Sequence, residues 1–414
     1  MAEKIYGLIG ETLKHSWSVP IHRALGCDSY QLYELKPEEL GGFLNQNQIG
    51  GLNVTIPYKK AVIPYCASLD PYAESIGSVN TLVPDSEGQL HGYNTDALGL
   101  SYIAKRSGIS FREAKVIILG SGGTSLTART VACTEGAREI IIVSRSGENN
   151  YGNISRHADA DILINTTPVG MYPRNGECLV DLKAFSALRG VLDVVYNPAR
   201  TALLLQAEGL GIPHSDGLPM LVAQAVAAEE KFFDRKIEDS EIERITAMLR
   251  RDMTNIVLIG MPGSGKSTIG AKLAAKTGRE MIDIDAEIVK SAGCSIPEIF
   301  SRSGEAEFRK LESEEVRKAG KETGKIIMTG GGVVTRAENY APLHQNGRIY
   351  QLERDLSKLP IDGRPISQKT SAEELYQKRA PLYQTFRDVW VDNNSSINRT
   401  VEMIWRDFNE NTGN

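Results

Sequence analysis

The sequence predicts an α/β protein built from doubly wound parallel sheets. Three observations carry this. Short apolar, β-branched runs recur at Lys4–Ile9, Lys115–Leu119, Glu139–Val143, Asp161–Ile164, Val191–Val195, Ile256–Ile259, Lys325–Met328 and Arg348–Leu352. Most lack polar alternation, as strands buried on both faces require. Helical patterns lie between them, for example Ser267–Ala275 and Glu305–Ala319, and alternating strands and helices imply doubly wound sheets. Two of the strands run directly into Gly-rich turns that open helices, at Gly120–Ser125 and Gly260–Ser267.

Length and composition bound the answer. At roughly 150 residues per domain, 414 residues suggest two or three domains. A hydrophobic content of 41% with 24% charged residues rules out a mainly disordered chain. The net charge of −5 gives no reason to expect nucleic acid or a membrane surface as a partner. Cys27, Cys66, Cys133, Cys178 and Cys294 lie far apart without a CxxC pair. That argues against a disulfide scaffold or zinc site and suits the reducing cytoplasm, the expected location. The segment MAEKIYGLIGETLKHS lacks the apolar core of a signal peptide, and no run approaches the ~20 apolar residues of a membrane span.

A boundary is expected near residues 236–254. The stretch KIEDSEIERITAMLRRDMT contains neither Gly nor Pro, and Ile242, Ile245, Met248 and Leu249 share one helical face. It reads as a terminal or connecting helix with a short hinge at Arg251–Thr254.

The strongest motif is Gly260-Met-Pro-Gly-Ser-Gly265-Lys266-Ser267, which fits GxxxxGK[ST] between a strand and a helix. Its glycines turn backbone N–H groups toward phosphates, and the helix N-terminus adds partial positive charge. Lys266 is expected to reach the β/γ-phosphates and Ser267 a Mg²⁺ ion. Downstream come Asp283-Ile-Asp285 at a strand end, Arg309 and Glu312 three apart on a helix, Gly330-Gly331-Gly332, Asp362-Gly-Arg364-Pro365 and Arg379-Ala-Pro-Leu-Tyr383. Singly, each has an ordinary structural explanation: a solvated ion pair, a helix cap, a turn. In this order after a phosphate loop they resemble shikimate kinase, over about residues 254–414.

The resemblance implies a P-loop, nucleoside-monophosphate-kinase-like doubly wound parallel sheet. It assigns Asp285, Arg309, Gly331 and Arg379 to shikimate, with Asp285 beside the reacting 3-hydroxyl. Gly263, Ser264, Gly265, Lys266, Ser267 and Thr268 would hold ATP. Asp283 would support Mg²⁺ through water, and Arg364 matches an arginine of a lid over the phosphates. Arginine forks suit a carboxylate bidentately.

In the first half, Gly120-Ser-Gly122-Gly123-Thr-Ser125 approximates a dinucleotide-binding turn, with Ser125 in place of the third glycine. The next strand ends in Ser144-Arg145-Ser146 with no acidic residue, which favours a 2′-phosphate and hence NADP. Polar residues gather at the ends of apolar segments: Ser16 and Ser18 after the first strand, Gly51-Leu-Asn53-Val-Thr55-Ile-Pro57-Tyr-Lys59, Ile76-Gly-Ser-Val-Asn80-Thr81 and Gly92-Tyr-Asn94-Thr-Asp96. Lys59 and Asp96 form a plausible proton-donor pair for carbonyl reduction, although any single lysine is more often a solvated cation.

Together these segments resemble shikimate dehydrogenase over about residues 1–235. The resemblance implies a substrate lobe (1–101 plus 214–250) and a Rossmann-like NADP lobe (102–213), within a dehydrogenase part spanning 1–252. It assigns Ser16, Ser18, Thr55, Lys59, Asn80, Asp96, Tyr196 and Gln224 to shikimate or dehydroshikimate. It assigns Gly120, Gly122, Gly123, Ser144, Arg145, Asn165, Val194 and Gly217 to the cofactor side. The two resemblances together imply that Lys59, Asp96, Lys266, Asp285 and Arg364 carry the catalytic roles. One departure stands out: only 17 residues (145–161) separate Ser144 from the next strand, where the family places a helix and often another strand. A narrower sheet is expected.

The expectation is therefore a fusion of two enzymes using NADP(H), ATP and Mg²⁺ on small-molecule substrates, 3-dehydroshikimate and shikimate. The competing expectation is a working kinase whose first half only senses or docks substrate. A third keeps the dehydrogenase but makes quinate its substrate.

Overall fold

Burial on both faces marks the central strands of the sheets, while strands toward the edges are partly exposed. The computed structural model describes residues 4–13, 16–45, 48–359 and 371–412. The chain divides into two compact units: 1–169, 178–196 and 206–246 form the first, and 170–177, 197–205 and 247–414 the second. Among the described residues no helix is long and apolar enough to cross a membrane.

The first unit holds two sheets. One has strands β1 (Ile5–Gly10), β2 (Gln31–Glu34), β3 (Ile49–Val54), β4 (Cys66–Leu69), β5 (Thr81–Pro84) and β6 (Leu90–Tyr93), in the order β2-β1-β3-β5-β6-β4. This sheet is mixed rather than parallel: β5 pairs antiparallel with both β3 and β6. Short strands joined through the turn at Asp85, whose carboxylate accepts the N–H groups of Glu87 and Gln89 at 2.9 Å, explain the hairpin.

The second sheet of this unit has β7 (Lys115–Leu119), β8 (Glu139–Val143), β9 (Ile162–Asn165), β10 (Gly190–Asp193) and β11 (His214–Ser215), all parallel, in the order β11-β10-β9-β7-β8. Every residue of β7 and β9 is buried. Between β8 and β9 lies only the 3₁₀ turn Ile154–His157. Against the six-stranded dinucleotide-binding order 3-2-1-4-5-6, no strand among the described residues sits outside β8, so β8 is an edge.

The second unit has one parallel sheet: β12 (Asn255–Ile259), β13 (Met281–Asp283), β14 (Ile326–Met328), β15 (Gly347–Glu353) and β16 (Val389–Asp392), in the order β13-β14-β12-β15-β16. The order reverses around β12, and ligands of such sheets bind beyond the strand C-termini at that switch point.

The helix predicted at the boundary runs Asp239–Met253 and continues through the expected hinge at 251–254, leaving Thr254 alone before β12. Ile242, Ile245, Leu249 and Met253 are buried on one face, with Met248 half-buried at its margin. Arg279 holds the helix end, donating to the carbonyls of Arg251 and Thr254 at 2.6 Å. The helix predicted from Glu305 starts earlier, at Ile296, and is kinked at Gly304, whose φ is 78°.

Candidate active sites

The first cavity, about 660 Å³, opens where β1 and β3 end and β5 begins. Ser16, Ser18, Thr55, Lys59, Asn80, Asp96, Val194, Tyr196, Gly217 and Gln224 all line it. Each arrives by a local device. Ser18 opens the helix Ser18–Ala24, and its N–H donates to Ser16 Oγ at 3.1 Å. Asp96 sits in the first turn of the helix Thr95–Arg106, capped by Asn94, whose side chain accepts from Ala97 N–H at 3.3 Å. Lys59 Nζ donates to Asp96 Oδ2 at 2.5 Å, and both side chains remain partly open to solvent. Gln224 lies on the helix Leu218–Phe232, which packs closely on Thr95–Arg106 because Gly99 has no Cβ to meet the Met220 carbonyl.

Behind this cavity is a buried polar chain. Asn80 Oδ1 accepts from Thr95 N–H at 2.7 Å and from Thr81 Oγ1 at 3.1 Å. Asn53, which also lines the cavity, donates through Nδ2 to Thr81 Oγ1 at 3.2 Å and accepts from the Tyr30 hydroxyl at 2.7 Å. Tyr30 stacks on His22, which pairs through Nδ1 with Glu229 Oε1 at 2.7 Å. Burial depresses the pKa of His22, opposed by its bond to Glu229. Sequence reading placed Asn53 in its motif without a role and missed the His22–Glu229 pair: the partners are 207 residues apart, and neither stands in a motif with the other.

The remaining dinucleotide-side residues lie outside that cavity lining. Gly120, with φ 108°, faces Thr166 Oγ1 closely, while a Cβ on Gly122 or Gly123 would meet only open space. That bare backbone at the start of the helix Gly123–Thr134 fits a pyrophosphate. Asn165 is buried and committed to the protein, donating to Asp193 Oδ1 at 2.9 Å. Ser144 and Arg145 follow the edge strand β8, and Arg145 is exposed.

The second cavity, about 670 Å³, lies at the switch point and is lined by Gly263, Gly265, Lys266, Ser267, Thr268, Asp283, Asp285, Arg309, Gly331 and Arg379. Ser264 is buried beneath it, and Arg364 falls outside the described residues. The phosphate loop turns on positive φ at Gly260, Gly263 and Gly265. Lys266 Nζ donates to the carbonyls of Gly260 and Met261 at 2.9 and 3.1 Å. Arg309 pairs with Glu312 at 2.7 Å and with Glu305 at 3.1 Å. Arg379 donates to the Gly331 carbonyl at 3.1 Å. The three glycines are there for room: a Cβ at 331 would stand 2.5 Å from Pro262, and one at 332 would collide with the Arg309 guanidinium.

Glu312, fully buried and lining this cavity, was visible in sequence only as the salt-bridge partner of Arg309. Burial raises its pKa, Arg309 opposes this, and Asp285 adds to the rise. Asp283 caps the helix Ile284–Ala292 through Oδ1, taking the N–H groups of Asp285 and Ala286 at 3.0 and 3.4 Å. Among the described residues its Oδ2 makes no hydrogen bond. With the Ser267 hydroxyl in the same cavity, this is a hard-oxygen donor set of the kind Mg²⁺ takes together with phosphates and water.

Comparison with known proteins decides the family. Residues 8–82 match the shikimate dehydrogenase substrate binding domain, and residues 262–408 match shikimate kinase. The NADP(+) shikimate dehydrogenase of Clostridium beijerinckii is 36% identical over 247 residues, covering 55% of this chain and 91% of that protein. The chain belongs to the shikimate dehydrogenase family. It is a fusion in which that enzyme is followed by a shikimate kinase domain. Its dehydrogenase fold also matches a chorismate mutase/shikimate 5-dehydrogenase fusion protein of Clostridium acetobutylicum, at 34% identity and a TM-score of 0.57, over 60% of this chain and 97% of that one. A shikimate 5-dehydrogenase of Listeria monocytogenes, solved in complex with shikimate and NAD, is 30% identical at a TM-score of 0.53, over 59% and 96%. Two enzyme activities of the shikimate pathway thus reside in one chain.

Proposed function

We propose that the chain reduces 3-dehydroshikimate with NADPH in the first cavity and phosphorylates the 3-hydroxyl of shikimate with ATP–Mg²⁺ in the second. One observation carries this: the two ligand-sized cavities coincide with the two motif sets, Lys59–Asp96 in one and Lys266 with Asp285, Arg309 and Arg379 in the other. We assign residues 1–252 to the dehydrogenase, with 1–101 plus 214–250 as substrate lobe and 102–213 as NADP lobe, and 254–414 to the kinase.

In the dehydrogenase, Ser16, Ser18, Thr55, Asn80, Tyr196 and Gln224 bind the substrate's carboxylate and hydroxyls. NADPH, when bound, supplies the hydride. Lys59 donates a proton to the carbonyl oxygen as it becomes an alkoxide, and Asp96 orients the Lys59 ammonium. Gly120, Gly122, Gly123, Asn165, Val194 and Gly217 surround the dinucleotide; Ser144 and Arg145 take its 2′-phosphate.

In the kinase, Arg309, Arg379 and the backbone at Gly331 hold the shikimate carboxylate and ring. Asp285 accepts the proton of the 3-hydroxyl as that oxygen bonds to the γ-phosphorus and ADP leaves. Gly263 to Thr268 surround the phosphates. Lys266, held by the loop carbonyls, would donate to the β/γ-phosphates, and Ser267 and Asp283 would hold Mg²⁺, which would offset phosphate charge. By its match to the family motif, Arg364 supplies a further cation for the transferring group.

Steady-state assay of the full chain tests this: shikimate with NADP⁺ must reduce the nicotinamide, and shikimate with ATP–Mg²⁺ must release ADP. The edge position of β8 gives the sensor reading its one support. Intact shikimate binding without NADP⁺ reduction would favour that sensor. A faster rate on quinate than on shikimate would instead reassign the dehydrogenase substrate.

A further inference from the structure

Arg354 has no place in the roles assigned so far. It is the first residue beyond β15, half-buried, and it lines the second cavity with the phosphate loop. Strand β15 runs parallel beside β12, with Ile259 opposite Gln351, so both strands end at the same edge of the sheet. The approach there is close: a Cβ on Gly260 would stand 2.5 Å from the Leu352 carbonyl.

The backbone is pinned on both sides of Arg354. Asn393 N–H donates to the Glu353 carbonyl and Asp355 N–H donates to Asn394 Oδ1, each at 2.8 Å. The same loop grips the phosphate loop, since Asn393 Nδ2 donates to the Ser264 carbonyl at 2.6 Å. Thr400 Oγ1 fixes the orientation of that amide by donating to Asn393 Oδ1 at 2.8 Å. Arg354 is therefore carried at a set position relative to Gly263–Lys266 by ordered backbone within one unit.

Its side chain stands apart from the other cations of the cavity. Lys266, Arg309 and Arg379 each donate to protein acceptors. The Arg354 guanidinium makes no hydrogen bond or ion pair among the described residues. A half-buried guanidinium with five donors and no acceptor, lining the same cavity as a phosphate loop, calls for an anion.

We propose that Arg354 is a polyphosphate-binding residue of the kinase, a guanidinium fixed on the sheet that contacts the ATP phosphates from the β15 side, opposite Lys266. This rests on the reading of the second cavity as an ATP site. It gives the phosphates a cation in addition to Lys266.

The test uses the full chain with Arg354→Ala and Arg354→Lys. Calorimetry with the magnesium complex of the β,γ-imido analogue of ATP measures binding; competition of inorganic tripolyphosphate against ATP in the kinase assay isolates the phosphates. Loss of a charge-assisted contact is expected to weaken both ligands roughly 10- to 100-fold in Arg354→Ala. Arg354→Lys should recover part of the loss, and NADP⁺-linked oxidation of shikimate should stay at the wild-type rate. A variant that binds the analogue as tightly as wild type overturns the inference alone. So does weakened analogue binding with unchanged tripolyphosphate competition, which would assign Arg354 to the base. A wild-type chain that binds no analogue overturns the ATP reading, and the inference with it.

Discussion

The two cavities are nearly equal in volume and differ in how many charges line them. The kinase cavity is lined by Lys266, Arg309, Arg354 and Arg379 against Asp283, Asp285 and Glu312. In the dehydrogenase cavity the only charged lining residues among those described are Lys59 and Asp96; hydroxyls, amides and apolar groups make up the rest. On the proposed reading both cavities take the same small acid, and the difference in lining goes with the second reactant. Transfer of a phosphoryl group needs cations placed where charge spreads over its oxygens. Carbonyl reduction needs one placed proton donor for the oxygen as it becomes an alkoxide.

The largest effects that would break this comparison come from exchanging the key lysines. Lys59→Ala is expected to lower dehydrogenase kcat by about 10²- to 10⁴-fold with the kinase unchanged. Lys266→Ala should lower kinase kcat by roughly 10²- to 10³-fold with the dehydrogenase unchanged. Parallel assays of each variant check this, and loss of both activities in either one would contradict separate sites.

Gly332→Ala should come next. The added methyl displaces the Arg309 guanidinium, so the kinase KM for shikimate should rise about tenfold while the dehydrogenase KM stays constant. A kinase KM that does not move would mean that Arg309 is not a shikimate ligand.

A smaller effect is expected behind the first cavity. Glu229→Gln keeps the shape of the buried partner of His22 and removes its charge. Denaturant unfolding of this unit should show a loss of about 1 kcal/mol, with the dehydrogenase KM for shikimate shifted through Asn53. A KM equal to wild type would confine the pair to a structural role.

The smallest effect is pH dependence. His22 has a pKa depressed by burial, so its neutral form favours the folded state. That contribution is complete above the ordinary histidine value of about 6.5 and is lost as pH falls through the lower folded value. Melting temperatures of wild type and His22→Gln should therefore converge on acidification below that point; curves that stay parallel would exclude it.

Much of the kinase domain was readable because its chemistry is local. Eight consecutive residues, Gly260–Ser267, define the phosphate loop, and the structure puts Lys266 at the start of the following helix. The dehydrogenase cavity draws on segments from Leu8 to Gln224, and only its motifs, not its periodicity, pointed there. Strands β4 to β6 passed unread because each has four residues and mixed exposure, leaving too little apolar pattern. The hinge expected at 251–254 failed for a tertiary reason: Arg279, 28 residues later, satisfies the carbonyl of Arg251. Arg354 and Asn393 carry no motif, and their relation to the phosphate loop exists only once β15 lies beside β12. The shortened interval after Ser144 was legible by counting, and the structure turns it into an edge strand.

The central claim is that one chain grips the same small acid at two separate places. Calorimetric titration of the full chain with shikimate, alongside Asp96→Ala, Asp285→Ala and the double variant, measures it directly. The account predicts two sites in wild type, one in each single variant and none in the double. A wild type with a single site, abolished equally by either substitution, would contradict it.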